Sequence, residues 1–232
     1  MIYLLSDRYT ALVVGSSGAL GQAFVQHLQA DTRCARVLTL SRHTTPALHL
    51  EEEASMAHCA QALQAQAPLQ LVIDATGALM LDGKGPEKRL QDLDAGAALR
   101  AMHVNAVGPA LLIRHLQPLL ARGERVVWAK LSARVGSIDD NHKGGWYSYR
   151  AAKAALNQLL QTAAIELARQ RPLMVVAALQ PGTVRSRLSQ PFVGTDALPP
   201  ELAAAELLQT LQTLPATGRA HFVDRLGKEI PW

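Results

Sequence analysis

Four side chains in one short stretch could carry acid–base chemistry. Residues 131–158 read LSARVGSIDDNHKGGWYSYRAAKAALNQ, which brings Ser132, Ser137, Tyr149 and Lys153 into a single segment. Tyr149 and Lys153 are four residues apart, so on a helix they share a face and the ammonium can act on the phenol. A free tyrosine titrates near ~10 and is a poor proton donor at neutral pH, but a neighbouring ammonium favours the phenolate and lowers that value. The spacing therefore predicts an acid–base pair that could protonate a developing alkoxide. A Tyr-xxx-Lys spacing also arises by chance on exposed helices, so the surrounding chain has to decide its meaning.

A second chemical feature lies near the amino terminus. VVGSSGALGQAF places Gly15, Gly18 and Gly21 between an apolar strand candidate and an amphipathic helix candidate, with Ser17, Ala19 and Leu20 between them. Glycine is needed where a chain turns sharply, approaches a pyrophosphate or packs helix on strand, and the first amides of the helix then face the phosphate. Folds that take NAD usually carry a carboxylate about 20 residues further on, bonded to the ribose hydroxyls. Here that place holds Ser41 and Arg42. A carboxylate would repel a 2′-phosphate, whereas a hydroxyl and a guanidinium bind one, so NADP(H) is favoured over NAD(H).

With a glycine-rich first turn followed by YxxxK, the chain resembles the short-chain dehydrogenase/reductase family over essentially its whole length. The runs ARVGSI and GGWYSYRAAKAALNQ and the ending GKEIPW are similar to the subgroup containing bacterial C-factor signalling proteins and insect carbonyl reductase relatives. The resemblance implies carbonyl–alcohol interconversion by hydride transfer, with Tyr149 as general acid/base and Lys153 beside it. It also implies that Asn105, in HVNAVGP, holds a relay water. The backbone of Ala75, Thr76 and Gly77 would line the cofactor, as would Pro181, Gly182 and Val184, with Ser186 at the nicotinamide amide. A nucleotide-binding sensor of the C-factor type is the alternative function, and family habit implies a homodimer or homotetramer.

Three departures from the family pattern stand in the sequence. The glycines read GxxGxxG, and His49 stands where an aspartate often meets the adenine. Ala133 occupies the usual place of the catalytic serine. Ser132 displaced by one residue, Ser137, or the Tyr149–Lys153 pair alone must then serve.

These residues need a scaffold to bring them together. Short apolar runs at 11–15, 36–40, 69–74, 125–131, 173–179 and 220–223 alternate with helical periodicity, such as Leu20, Phe24 and Leu28 or the stripe from Leu99 to Leu119. That alternation predicts βα units and a parallel sheet. We expect an α/β fold, a single Rossmann-type doubly wound sheet of about seven strands with helices on both faces, formed by residues 1–232 as one domain. The stretch Gln190–Pro200 reads as a substrate-covering loop, and the segment after Val184 offers Arg185, Arg187, Phe192 and Val193 to the pocket.

Composition narrows the class. No run approaches the roughly 18 consecutive apolar residues of a membrane span, and the start MIYLLSDRYT lacks the basic region of a secretory leader. Cys34 and Cys59 have no ligand pattern around them, which fits reduced thiols, no metal and a cytoplasmic setting. The net charge of +4 comes from scattered residues, so a bound anion is expected and nucleic acid and membrane partners are not. The family resemblance implies a small carbonyl or alcohol as the partner.

Overall fold

The structure, a computed structural model, describes residues 5–186 and 197–232. Six strands, β1 (Tyr9–Val14), β2 (Cys34–Leu40), β3 (Leu71–Asp74), β4 (Val126–Leu131), β5 (Met174–Gln180) and β6 (Ala220–Asp224), lie parallel in one sheet of order β2-β1-β3-β4-β5-β6. These are the six runs read from the sequence, with ends moved by up to two residues. About seven strands were expected, and the described residues pair six. Beyond β2 the chain hooks back on itself: the Leu48 amide and the Thr44 hydroxyl both donate to the Ser41 carbonyl. With Pro46 lacking an N–H and these groups spent locally, 44–50 makes no edge strand.

Helices cover both faces. α2 (Glu53–Leu63), α4 (Gly108–Leu116) and α5 (Tyr147–Ala168) pack on one side around Leu12, Val14, Trp128 and Val176. α1 (Ala19–Ala30) and α6 (Pro200–Thr213) pack on the other around Ala11, Val13, Ile73 and Ala177. Alternate residues of β1 thus feed opposite cores, as strand geometry requires. Each fully buried Leu, Val or Phe contributes roughly 1.5–3 kcal/mol. In α1 this selects the face carrying Phe24 and Leu28.

α3 (Ala95–Met102) runs through a π-helical turn at His103–Val107 into α4. The continuous run Ala95–Leu119 is long and apolar enough to cross a membrane by length and composition. Here its apolar stripe is spent on the sheet, where Leu112, Ile113, Leu116 and Leu119 meet Trp128 and Leu156. The acidic run at 51–53 makes exposed ion pairs, Glu51 with Arg100 and Glu53 with Arg114. Both cysteines are free thiols.

β1 has β2 on one side and β3 on the other, so the strand order reverses there and opens a crevice at the carboxyl ends of the strands. The connection from β3 to α3 is the long one that matters most. It leaves Asp74, crosses the mouth of the crevice and touches the start of α5, where the Trp146 amide donates to the Glu87 carbonyl.

Candidate active site

One cleft at the carboxyl ends gathers nearly every residue singled out in the sequence. Its walls include Gly15 and 17–21, Ser41 and Arg42, 75–77, Ser132, Tyr149, Lys153, 181–182, Val184 and Ser186. Asn105 lies one layer behind it. Gln190 to 196, with Arg187, Phe192 and Val193, fall outside the described residues.

The glycine turn fits an anionic ligand on steric grounds. A Cβ on Gly21 would sit 2.1 Å from the Gly15 carbonyl oxygen, and one on Gly15, itself at φ +79°, 3.0 Å from the Ala75 backbone. Those two glycines are needed by the turn itself. At Gly18 an added Cβ would meet only Gly15 O at 3.4 Å, an ordinary contact, so the fold does not demand glycine there and the open side faces the cleft. Gly18 is also the N-cap of α1 and no side chain caps that end, leaving the helix-start amides for a phosphate. At the end of β2, Arg42 is exposed and has no ion-pair partner among the described residues, while the Ser41 hydroxyl accepts from the His43 amide. His49 lines the same region.

Behind the cleft floor sits an ion pair that sequence reasoning passed over. Lys130, fully buried on β4, places Nζ 3.1 Å from Asp74 Oδ1 and donates to the Thr76 carbonyl at 2.6 Å and its hydroxyl at 3.1 Å. The Thr76 amide donates to the same carboxylate oxygen at 2.9 Å. These bonds fix the turn 74–77. Gly77, at φ +146°, packs so tightly that an added Cβ would come 3.2 Å from Asn105 Oδ1 and 3.6 Å from Lys153 Nζ. The signal was present as a lysine inside an otherwise apolar strand, but only its partner across β3 gives it a meaning.

Asn105 occupies the π-helical turn, a local widening often found at functional sites. Its Oδ1 accepts from the Ala78 amide and its Nδ2 donates to the Ala78 and Ala101 carbonyls. Both amide hydrogens and one lone pair of the oxygen are thereby engaged, and the side chain clamps the β3 loop to α3.

Tyr149 and Lys153 do share one face of α5, with Nζ 5.6 Å from the phenol ring centre and donating to the Leu131 carbonyl at 3.1 Å. The electrostatics differ from the sequence expectation. Burial pushes the Tyr149 phenol up rather than down, because desolvation outweighs an ammonium at that distance. Lys153 is pushed from its ordinary value down to about 7, by burial first and the Lys130 charge second, against the pull of Asp74. Burial therefore keeps the Tyr149 phenol protonated and leaves Lys153 about half protonated at pH 7.

Of the two candidate serines, only Ser132 reaches the cleft wall, and its hydroxyl donates to Asn157 Oδ1 at 2.7 Å. Ser137 turns away, donating to the Trp232 carbonyl and accepting from the Asp140 amide. After β5, Gly182 at φ +79° turns the chain, and Val184 bridges to Leu198 along the cleft edge.

The start of α5 is built by residues the sequence did not flag. Gly144, Gly145 and Trp146 are consecutive left-handed residues, at φ +63°, +64° and +55°. Arg150 donates to the Gly144, Gly145 and Val135 carbonyls. Glu87 accepts from the Ser148 amide at 3.1 Å and from its hydroxyl, capping the helix from the β3–α3 connection. Burial alone would raise the Glu87 carboxyl, but the Ser148 bonds outweigh it and hold it below the usual range.

A family profile described as Enoyl-(Acyl carrier protein) reductase matches residues 23–221. The chain belongs to the short-chain dehydrogenase/reductase family. Among curated members, it is 32% identical over 165 residues to 1-hydroxy-2-glutathionyl-2-methyl-3-butene dehydrogenase of Rhodococcus, covering 71% of this chain and 69% of that one. It is 32% identical over 145 residues to the C-signal protein of Myxococcus xanthus, covering 62% and 83% respectively. NADPH-bound carbonyl reductase from chicken fatty liver superposes with a TM-score of 0.84 at 20% identity, over 100% of this chain and 96% of that one. Drosophila carbonyl reductase Sniffer gives 0.82 at 20% identity, over 97% and 100%. This short-chain dehydrogenase/reductase is thus an oxidoreductase with the C-signal protein among its relatives and a fold shared with carbonyl reductases.

Proposed function

We propose that this chain is a cytoplasmic, single-domain, NADP(H)-dependent reductase that interconverts a carbonyl and an alcohol, acting as a homodimer or homotetramer. One juxtaposition carries the reading: Tyr149 and Lys153, one turn apart on α5, line the same cleft as the helix start at Gly18 and as Arg42, which has no ion-pair partner among the described residues. Ala19, Leu20 and Gly21 would hold the pyrophosphate through their amides. Ser41 and Arg42 would hold the 2′-phosphate, the backbone of Ala75, Thr76 and Gly77 would line the adenosine side, and Pro181, Gly182, Val184 and Ser186 would flank the nicotinamide half. The structural neighbours named as an NADPH-bound carbonyl reductase and as carbonyl reductase Sniffer support the same assignment.

When bound, the reduced nicotinamide supplies a hydride to the carbonyl carbon. Tyr149 donates its phenolic proton to the carbonyl oxygen as negative charge develops there. The resulting phenolate sits beside Lys153, whose ammonium stabilises it and returns a proton. The clamp from Asn105 to Ala78 keeps Gly77 and Lys153 in register, and Asn105 would order the relay water. Ser132 assists only by turning its proton from Asn157 to the substrate.

That last point favours a second reading. Ala133 removes the usual serine and the Ser132 proton is committed to Asn157, as suits a nucleotide-binding sensor or signalling protein of the C-factor type with little turnover. Tyr149→Phe tests both: turnover of aldehydes, ketones and quinones with NADPH should fall at least about 10²-fold while NADPH affinity is kept. Wild-type protein that binds NADPH tightly yet reduces none of the panel would instead support the sensor.

A further inference from the structure

Two buried lysines, Lys130 and Lys153, meet one short turn. Lys130, on β4, finds three acceptors for the three N–H groups of an ammonium: Asp74 Oδ1 at 3.1 Å, the Thr76 carbonyl at 2.6 Å and the Thr76 hydroxyl at 3.1 Å. That hydroxyl gives its own hydrogen to Asp74, so all three partners accept and the charged form of Lys130 is the one they fit. Lys153 reaches the same turn from α5. Its Nζ donates to the carbonyl of Leu131, the residue after Lys130, and lies 3.6 Å from the place a Gly77 Cβ would take.

Other ionisable groups on the elements around α5 are engaged elsewhere. Arg100 and His103 act on Glu51, Arg114 and His115 on Glu53, and Arg134 on Asp140 and Asp224. Arg150 and His221 donate to backbone carbonyls of residues 144–145 and 215. Tyr149, Lys130 and Asp74 are left facing the Lys153 nitrogen. After burial itself, the Lys130 charge is the larger influence there and opposes protonation, while Asp74 favours it.

We propose that Lys130 and Asp74 are positioning residues for this reaction: bonded to the turn that Lys153 also meets, the pair sets the pH at which Lys153 carries the proton it offers to NADPH and to Tyr149. The proposal rests on the reductase reading above. Neither side chain lines the cleft, and both act through Lys153.

The test reads the lysines directly. In the free chain with carbon-13 at every lysine Cε, NMR follows all six lysines from about pH 5 to about pH 10, with Lys153 and Lys130 assigned by the signals missing from Lys153→Met and Lys130→Met. Wild type should titrate Lys153 at about 7 while Lys130 stays protonated through that point. Lys130→Met combined with Asp74→Asn should raise the Lys153 midpoint by at least about half a pH unit, and Lys130→Arg, which keeps the cation, should leave it in place. The loss of NADPH affinity with rising pH should move with that midpoint, as should the fall in kcat/KM for NADPH measured with an aldehyde, since that ratio reports the free enzyme. A wild-type Lys130 already deprotonated at neutral pH overturns the proposal without any variant. So does a Lys153 midpoint unchanged in the folded double variant, or one that moves while NADPH affinity keeps its wild-type pH dependence. Midpoint and affinity moving together, with no aldehyde, ketone or quinone reduced, leaves the pair its part in nucleotide binding and removes the reductase.

Discussion

A phenol and an amine four residues apart are chemically useful only if their proton affinities are set, and here burial sets them in directions the spacing alone does not suggest. Tyr149 is raised and Lys153 lowered to about 7. For Lys153 the consequence for stability has a definite sign. Between pH 7 and its ordinary value of 10.5 the unfolded chain holds a proton that the folded chain has released, so this group makes stability rise with pH across that window. Urea denaturation at pH 7, 8 and 9 should show a slope from this group approaching about 1.4 kcal/mol per pH unit, absent in Lys153→Met. Ribose hydroxyls accepting from the ammonium would reverse the trend. NADPH binding should then take up close to one proton above pH 7, measurable by calorimetry in buffers of different ionisation enthalpy. Zero uptake would mean that Lys153 does not meet the cofactor.

At the scale of elements, two devices hold the site and each makes a separable prediction. In the β1–α1 turn, Gly21→Ala forces backbone atoms apart and should cost upwards of about 3 kcal/mol, the scale of strained overpacking. Gly18→Ala meets no clash, so its Tm should stay within a degree or two while NADPH affinity falls, since the added methyl fills only the face turned to the ligand. Equal losses of stability in the two variants would contradict the division drawn here. Across β3 and β4, Lys130→Met leaves the Asp74 carboxyl buried without its partner and should cost about 3–5 kcal/mol. Adding Asp74→Asn should recover much of that, as paired removal of buried charges does. A double variant no more stable than the single one would show that the pair matters through Thr76 and the loop rather than through charge.

For the whole molecule, one sheet is shared by two apolar cores, so neither core can melt without exposing the strands of the other. Thermal unfolding should be a single transition whichever core is probed. NADPH at 100 times its Kd should add about 2.7 kcal/mol, a Tm increase of roughly 5–10 °C for a chain of this size. NADH at the same concentration should shift Tm by less if Arg42 reads the 2′-phosphate, and Arg42→Ala should erase the difference. A larger shift with NADH would reverse the cofactor preference.

The order of strands and helices, the glycine turn and the Tyr149–Lys153 pair were legible because each is written in local periodicity or spacing. Residues close in sequence must be close in space, and alternation of apolar runs dictates which faces are buried. Lys130, Glu87 and Arg150 were not legible, since each acts through a partner on another element: Asp74 across the sheet, Ser148 across the cleft mouth, the glycine carbonyls of a turn whose handedness no sequence pattern announced. The same holds for Ser132 and Ser137, equivalent as hydroxyls in the chain and separated only when Asn157 and Trp232 claimed their protons. Sequence determined which chemistry was available, because reactive groups are covalent facts. Tertiary structure decided the charge each group carries and which way it faces, because desolvation and long-range hydrogen bonds exist only once distant segments have packed.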